Sequence, residues 1–175
     1  MRLFDTPRDA RRFLRDLLIA LSAPLLVMFF LVQPFQVEGR SMQPRLSDGE
    51  RILVNKLAAA LGGLRRGDIV VFTSPTDRRR YLVKRIVGLP GERLEIRGGA
   101  VLIDGGALRE SYLEGAFTGG RDSPPVRLGL DEYFVLGDHR NDSEDSRVWG
   151  PIARSQIIGR AFLSYWPPSE AGSIR

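Results

Sequence analysis

The sequence predicts a mainly β protein, an antiparallel β domain behind one N-terminal transmembrane helix. Three observations predict it. Residues 17–37 carry no charged side chain, and as a helix those positions would reach about 30 Å, roughly the thickness of a bilayer's hydrocarbon core. After them come short runs rich in Val, Ile, Leu, Tyr and Phe, each bounded by Gly, Pro or charge. Two of those runs flank Gly98-Gly99, the dipeptide of a tight hairpin.

The apolar run follows Arg2, Arg8, Arg11, Arg12 and Arg15. That bias places the N-terminus in the cytoplasm and the chain beyond the run on the outer side of the membrane. A cleavable leader needs a small-x-small site at the end of its apolar stretch; Gln33-Pro34-Phe35-Gln36 does not supply one, and Pro24 hinders cleavage after Ala23. The expected division is a cytoplasmic segment 1–16, an uncleaved transmembrane anchor 17–34, an extracytoplasmic β-rich domain 35–168 and a C-terminal tail 169–175. A single-pass protein of the cell's inner, cytoplasmic membrane is expected, with its β-rich domain on the outer side. The 175 residues allow one compact domain and little more.

Strands are expected over Arg51–Asn55, Asp68–Phe72, Tyr81–Val87, Glu92–Ile96, Ala100–Ile103, Tyr133–Leu136 and Ile157–Trp166. Helical pattern outside the anchor is limited to turns at Met42–Leu46 and Leu57–Leu61. Gly115–Pro125, made of Gly, Ser, Pro and charge, reads as an exposed loop or irregular ribbon.

Composition removes several function classes. There is no cysteine, so disulfides, thiolate metal sites and cysteine nucleophiles are excluded, and a single histidine excludes a multi-His metal site. The net charge of +5 invites a nucleic-acid reading. Its arginines are scattered, however, without an interleaved aromatic motif or a helix-turn-helix pattern. The charge fits a surface that faces anionic lipid, so a phospholipid membrane and no nucleic acid is the expected partner.

Of the 26 basic residues only Lys56 and Lys84 are lysine. Lys84 lies in a β-rich run beside Arg85, and lysine, unlike arginine, loses its proton when desolvated and can then act as a base. Alone, a strand lysine more often snorkels to solvent. Ser41 precedes a Pro-containing turn in Gly39-Arg40-Ser41-Met42-Gln43-Pro44-Arg45-Leu46; alone, such a serine is more often a helix cap. The polar run Gly137-Asp138-His139-Arg140-Asn141-Asp142-Ser143-Glu144-Asp145-Ser146-Arg147 reads by itself as a solvated loop.

Taken together and in this order, the three segments resemble the bacterial type I signal peptidases, membrane-anchored serine proteases with a Ser-Lys dyad. Ser41-Met42-x-Pro44-x-Leu46 resembles the nucleophile motif, and Lys84-Arg85-x-x-Gly88-x-Pro90-Gly91 the general-base motif. Gly137-Asp138-x-Arg140-x-x-Ser143-x-Asp145-Ser146-Arg147 resembles the C-terminal box. The resemblance implies catalytic roles for Ser41 and Lys84 and needs no metal or organic cofactor. By the same resemblance Ser143 would hydrogen-bond the Lys84 amine, while Asp145 with Arg147 and Asp138 with Arg85 would form supporting ion pairs.

The implied substrates are signal peptides of exported preproteins, cut where small residues stand first and third before the scissile bond. The translocation machinery is the implied neighbour. Phe35, Val37, Met42, Ile52 and Val83 are the candidates for shallow apolar walls admitting such residues. Two departures from the family pattern matter. Gly39 stands where some members place a second oxyanion donor as serine, and His139 replaces the usual Asn of the box. The latter leaves a Ser41-His139-Asp triad as a rival. Other rivals are a self-cleaving repressor-type protease, which lacks such an anchor, and a catalytically dead membrane-tethered binding domain.

Overall fold

The structure, a computed structural model, describes residues 7–113 and 120–174, with the side chains of 7–10 and 23–29 outside the description. The chain divides into two compact units, residues 1–33 and 34–175. The first consists mainly of helix α1, Pro7–Leu31. Its described apolar side chains, among them Phe13, Leu18 and Phe30, are exposed. Among the described residues no helix is long and apolar enough to cross a membrane. The anchor expected over 17–34 includes 23–29, whose side chains lie outside the description, and the helix itself stops at Leu31, where strand β1 (Val32–Gln36) takes over.

The second unit is an antiparallel two-sheet β structure. Its larger sheet has the order β1-β2-β11-β3-β4-β9-β10, with β12 paired to β11. The strands are β2 (Arg51–Asn55), β3 (Ile69–Thr73), β4 (Tyr81–Gly88), β9 (Glu132–Leu136), β10 (Ile152–Ala153), β11 (Ile157–Trp166) and β12 (Gly172–Ser173). The smaller sheet runs β7-β6-β5-β8, from β5 (Arg93–Arg97), β6 (Ala100–Ile103), β7 (Gly106–Ala107) and β8 (Ser123–Arg127). Gly98 and Gly99 both have positive φ, 57° and 79°, the left-handed pair that a two-residue hairpin between β5 and β6 requires. Among the described residues the unit also carries two short α-helices, α2 (Leu57–Ala60) and α3 (Ser146–Trp149), and two 3-10 turns at Arg154–Gln156 and Pro168–Glu170.

All seven expected strands are present, with bounds shifted by a residue in four of them. Part of the loop expected over 115–125 is strand instead: Ser123, Pro124 and Pro125 begin β8. Proline cannot donate to a ladder and is confined to sheet edges, and β8 is an edge, as is Pro34-containing β1. Residues 115–119 of that expected loop lie outside the described residues. The stretch expected as a tail is not loose. Its β12 pairs with Leu163 and Ser164, and Ile174 is buried in a cluster with Val37, Met42, Leu46 and Ile52.

Strand β4 positions the site. Tyr81–Thr73 through Arg85–Ile69 pair on its β3 side, whereas β9 pairs only with its second half, Arg85–Gly88. Among the described residues the other edge of Tyr81–Lys84 therefore has no strand partner, and an apolar core (Val70, Phe72, Ile86, Val135) holds the strand from behind.

Candidate active site

Ser41 opens a helical turn closed by Gln43 N–H to Arg40 O at 3.0 Å and Leu46 N–H to Met42 O at 2.9 Å. Met42 and Leu46 bury themselves in the core on one face of that turn, and this leaves Ser41 at its rim, half-buried. The turn is held from the other side by the 137–147 loop, whose His139 N–H donates to Ser41 O at 3.0 Å. Close approach there depends on Gly137: a Cβ at that position would lie 2.5 Å from Ser41 O and against the Ser143 hydroxyl.

Lys84 is only 4% exposed, and its Nζ donates to Ser41 Oγ at 2.5 Å. Burial pushes the Lys84 amine down from 10.5 to about 8. The Asp145 and Asp138 carboxylates pull the other way, and Arg147 reinforces burial. The chain's two lysines thus have different settings, since Lys56 lies on the exposed surface ahead of α2.

Around this pair the loop is tied by buried ions. Arg85 bonds Asp138 bidentately, Nε to Oδ1 at 2.8 Å and Nη2 to Oδ2 at 2.6 Å, with both side chains 1% exposed. Asp145 accepts from Arg147 Nε at 2.8 Å and Nη2 at 2.7 Å, and also from Gly137 N–H at 3.1 Å. A bidentate guanidinium–carboxylate pair fixes orientation as well as distance, and neither partner can be removed without leaving a buried charge. Ser143 sits beside the site, but its expected bond to the Lys84 amine is not made. The Ser143 hydroxyl is buried and finds no partner among the described residues, while Lys84 Nζ is aimed at Ser41.

The pair opens on a cleft of about 670 Å³ lined by Phe35, Val37, Met42, Val83 and Lys84, with polar groups from Arg79, Arg80, Asp142 and Glu144. Four of the five expected apolar wall residues therefore line it. Ile52 does not: it is fully buried in the core cluster with Val37 and Met42, and so backs the wall rather than facing the cleft. Alternation along β2 marks Ile52 as inward-facing, but does not say whether inward means cleft or core. Tyr81 also lines the cleft, edge-on to Phe35 at 5.5 Å between ring centroids, and sequence reasoning missed it because a strand-opening tyrosine carries no motif. Glu110 and Tyr112 were missed for the same reason. They lie in an unpatterned connection, yet Glu110 forms a bidentate pair with Arg140 and Tyr112 stacks on Arg85.

Among the described residues no acceptor takes the Ser41 main-chain N–H, which leaves it free to meet the oxyanion that forms on a carbonyl oxygen when Ser41 Oγ attacks its carbon. Gly39 N–H, by contrast, is bound to Asp48 Oδ1 at 2.7 Å. The arrangement is a buried amine, held less tightly protonated than a free lysine, in contact with a hydroxyl at the floor of an open cleft, with an unused N–H beside it. That is the equipment for acyl transfer through a serine ester.

A family model described as signal peptidase, peptidase S26, matches residues 10–166. Signal peptidase I of Bacillus amyloliquefaciens is 39% identical over 164 residues, 87% of this chain and 83% of its own. Signal peptidase I T of Bacillus subtilis (strain 168) is 39% identical over 167 residues, 89% of this chain and 85% of its own. A crystal structure of a signal peptidase I from Enterococcus faecalis V583 matches with a TM-score of 0.49 and 30% identity, over 55% of this chain and 95% of that one.

Proposed function

Because the chain belongs to the signal peptidase family, peptidase S26, we propose that Ser41 and Lys84 are the dyad through which it works. The protein is a signal peptidase I, a serine endopeptidase acting on preproteins that carry signal peptides. The observation that carries the dyad is the 2.5 Å contact between the buried Lys84 amine and Ser41 Oγ.

In the neutral amine, Lys84 Nζ takes the Ser41 hydroxyl proton as Oγ attacks the scissile carbonyl carbon. The resulting oxyanion is met by the Ser41 N–H. Collapse breaks the C–N bond, and the protonated Lys84 gives its proton to the departing amine of the mature protein's N-terminus. Lys84 then deprotonates a water, which attacks the ester, releases the signal peptide as a carboxylic acid and restores Ser41. No metal or organic cofactor takes part in these steps. The pairs Arg85–Asp138 and Asp145–Arg147 hold the loop that lies against the dyad.

The substrate lies extended along the open edge of Tyr81–Lys84, adding a strand to β4. Val37, Met42, Val83 and Phe35 make shallow walls that admit Ala-sized residues at the first and third positions before the cut. The N-terminal helix anchors the protein in the cytoplasmic membrane, with the β unit outside. The support is the uncharged stretch 17–37 and a helix whose described apolar side chains, such as Leu14, Leu18 and Leu21, are exposed. Phe35 and Val37 of the cleft follow residues 17–34 directly in the sequence, which suits a substrate whose own apolar segment is still in the bilayer, next to the translocation machinery.

The test is reaction of the full-length protein in detergent with an acylating active-site probe and with a preprotein carrying an Ala-x-Ala site. Wild type should be labelled and should cut. Ser41→Ala should do neither, and cleavage by Ser41→Ala would sink the assignment.

A further inference from the structure

Three buried arginine–carboxylate pairs hold the 137–147 loop, and the third differs from the other two. Arg85–Asp138 and Asp145–Arg147 have at least one partner on the loop and none outside the larger sheet and that loop. Arg140 instead pairs with Glu110, in the connection that leaves the smaller sheet after β7. Arg140 is 2% and Glu110 8% exposed at the side chain, and Arg140 Nη1 donates to Glu110 Oε2 at 2.8 Å, with Nη2 closing a second bond to Oε1. Tyr112 then donates its hydroxyl to Glu110 Oε1 at 2.5 Å while its ring faces the Arg85 guanidinium, 4.0 Å from the ring centroid. One short segment therefore grips the loop at two places, directly at Arg140 and through Arg85 at Asp138.

What lies between those two grips is the stretch that touches Ser41. Arg140 Nε donates to Gly137 O at 3.1 Å, Arg140 N–H to Asp138 O at 3.0 Å, and His139 N–H, between them, to Ser41 O. Arg140 O in turn accepts from Arg147 Nη2 at 2.8 Å. We infer that Glu110 and Tyr112 are positioning residues for the cleavage reaction: they lock Arg140, and with it the 137–139 peptides, so that Ser41 is held against Lys84. A loop free to shift by an ångström would leave the apolar walls Phe35, Val37, Met42 and Val83, which lie outside it, in place to bind substrate, but would lose the aim of the hydroxyl. The inference rests on the Ser41–Lys84 reading for its kinetic consequence and on geometry alone for its structural one.

Two readouts separate these. The double variant Glu110→Leu/Arg140→Met removes both buried charges together at similar volume, which spares the fold an unpaired ion. The expected result is a folded protein with kcat for an Ala-x-Ala preprotein lowered about 30-fold, KM within about twofold, and main-chain amide exchange at 138–141 faster by about tenfold, with β3 amides unchanged. Tyr112→Phe keeps the ring over Arg85 and removes only the hydroxyl bond to Glu110. It should lower kcat about 3- to 10-fold at constant KM, and it carries the test if the double variant fails to fold. Wild-type kcat with unchanged exchange, or a rise in KM alone, in either folded variant overturns the inference. If Ser41→Ala still cuts, the dyad reading fails by itself, and the exchange at 138–141 still decides whether the grip on the loop is real.

Discussion

The main-chain N–H of His139 donates to the carbonyl oxygen of Ser41 at 3.0 Å, while the Ser41 hydroxyl is in contact with Lys84 Nζ. The chain's single histidine thus meets the serine turn through its backbone, and that contact survives any side chain at position 139. His139→Ala is accordingly expected to retain cleavage within about fivefold of wild type, whereas Lys84→Ala and Lys84→Arg fall by about a thousandfold or more in kcat. Cleavage of an Ala-x-Ala preprotein in detergent checks this. A dead His139→Ala beside an active Lys84→Arg would make histidine the base.

The pH dependence follows from burial of Lys84. Its amine is lowered to about 8, and only the neutral form takes the serine proton, so kcat/KM should rise with pH and level off above about 8. Initial rates between pH 6 and pH 10 report the inflection. A profile flat across pH 7–9 would mean that another group accepts the proton.

Stability should run against activity at the same residue. The amine titrates near 8 when folded and at 10.5 when unfolded, so below pH 8 both states are charged and the native state bears the full desolvation cost. That cost fades as pH rises from 8 to 10.5, because the unfolded chain then holds the extra proton. Lys84→Met, inactive, should therefore be more stable than wild type at pH 7, on the order of 2–3 kcal/mol, with the gap shrinking towards pH 10. Denaturant melts of the two proteins at pH 7 and pH 10 measure it, and a gap that widens with pH would contradict the sign.

Gly137→Ala places a methyl group 2.5 Å from Ser41 O and against Ser143, where only main chain and a short side chain can yield. The expected outcome is a fall in kcat of about a hundredfold with a loss of about 1–3 kcal/mol in stability. Full activity in this variant would mean that the loop and the serine turn are not held in register.

Phe35→Ala should open one wall of the cleft and remove the edge contact to Tyr81. Acceptance of residues larger than Ala before the cut is expected to rise about tenfold relative to the Ala-x-Ala substrate, read by competition between two preproteins. Ile52→Ala, behind the wall, should instead cost about 2–5 kcal/mol of stability through a core cavity.

Much of the fold was legible in the chain. Arg51–Asn55, Ala100–Ile103 and Ile157–Trp166 stand where alternation and turn residues put them. The strands β1 and β8 were not legible, because Pro34, Pro124 and Pro125 argue against a strand unless it lies at an edge, and edge status is a property of the assembled sheet. Two-residue strands such as β7, β10 and β12 are too short to carry a period at all.

By itself the sequence determined which residue types were available: one buried-strand lysine among arginines, one serine before a turn, and a box of alternating charge. Tertiary structure alone decided who meets whom. Lys84 reaches a serine 43 positions away, and Glu110 reaches an arginine 30 positions away. It also turned Ile52 into backing, left Ser143 without its expected partner and showed Tyr112 to be the roof of Arg85. The reason is physical. Local pattern says which face of a strand is buried, but contact between distant side chains depends on strand order, register and the closeness a single glycine allows, and those are fixed only when the sheets pack.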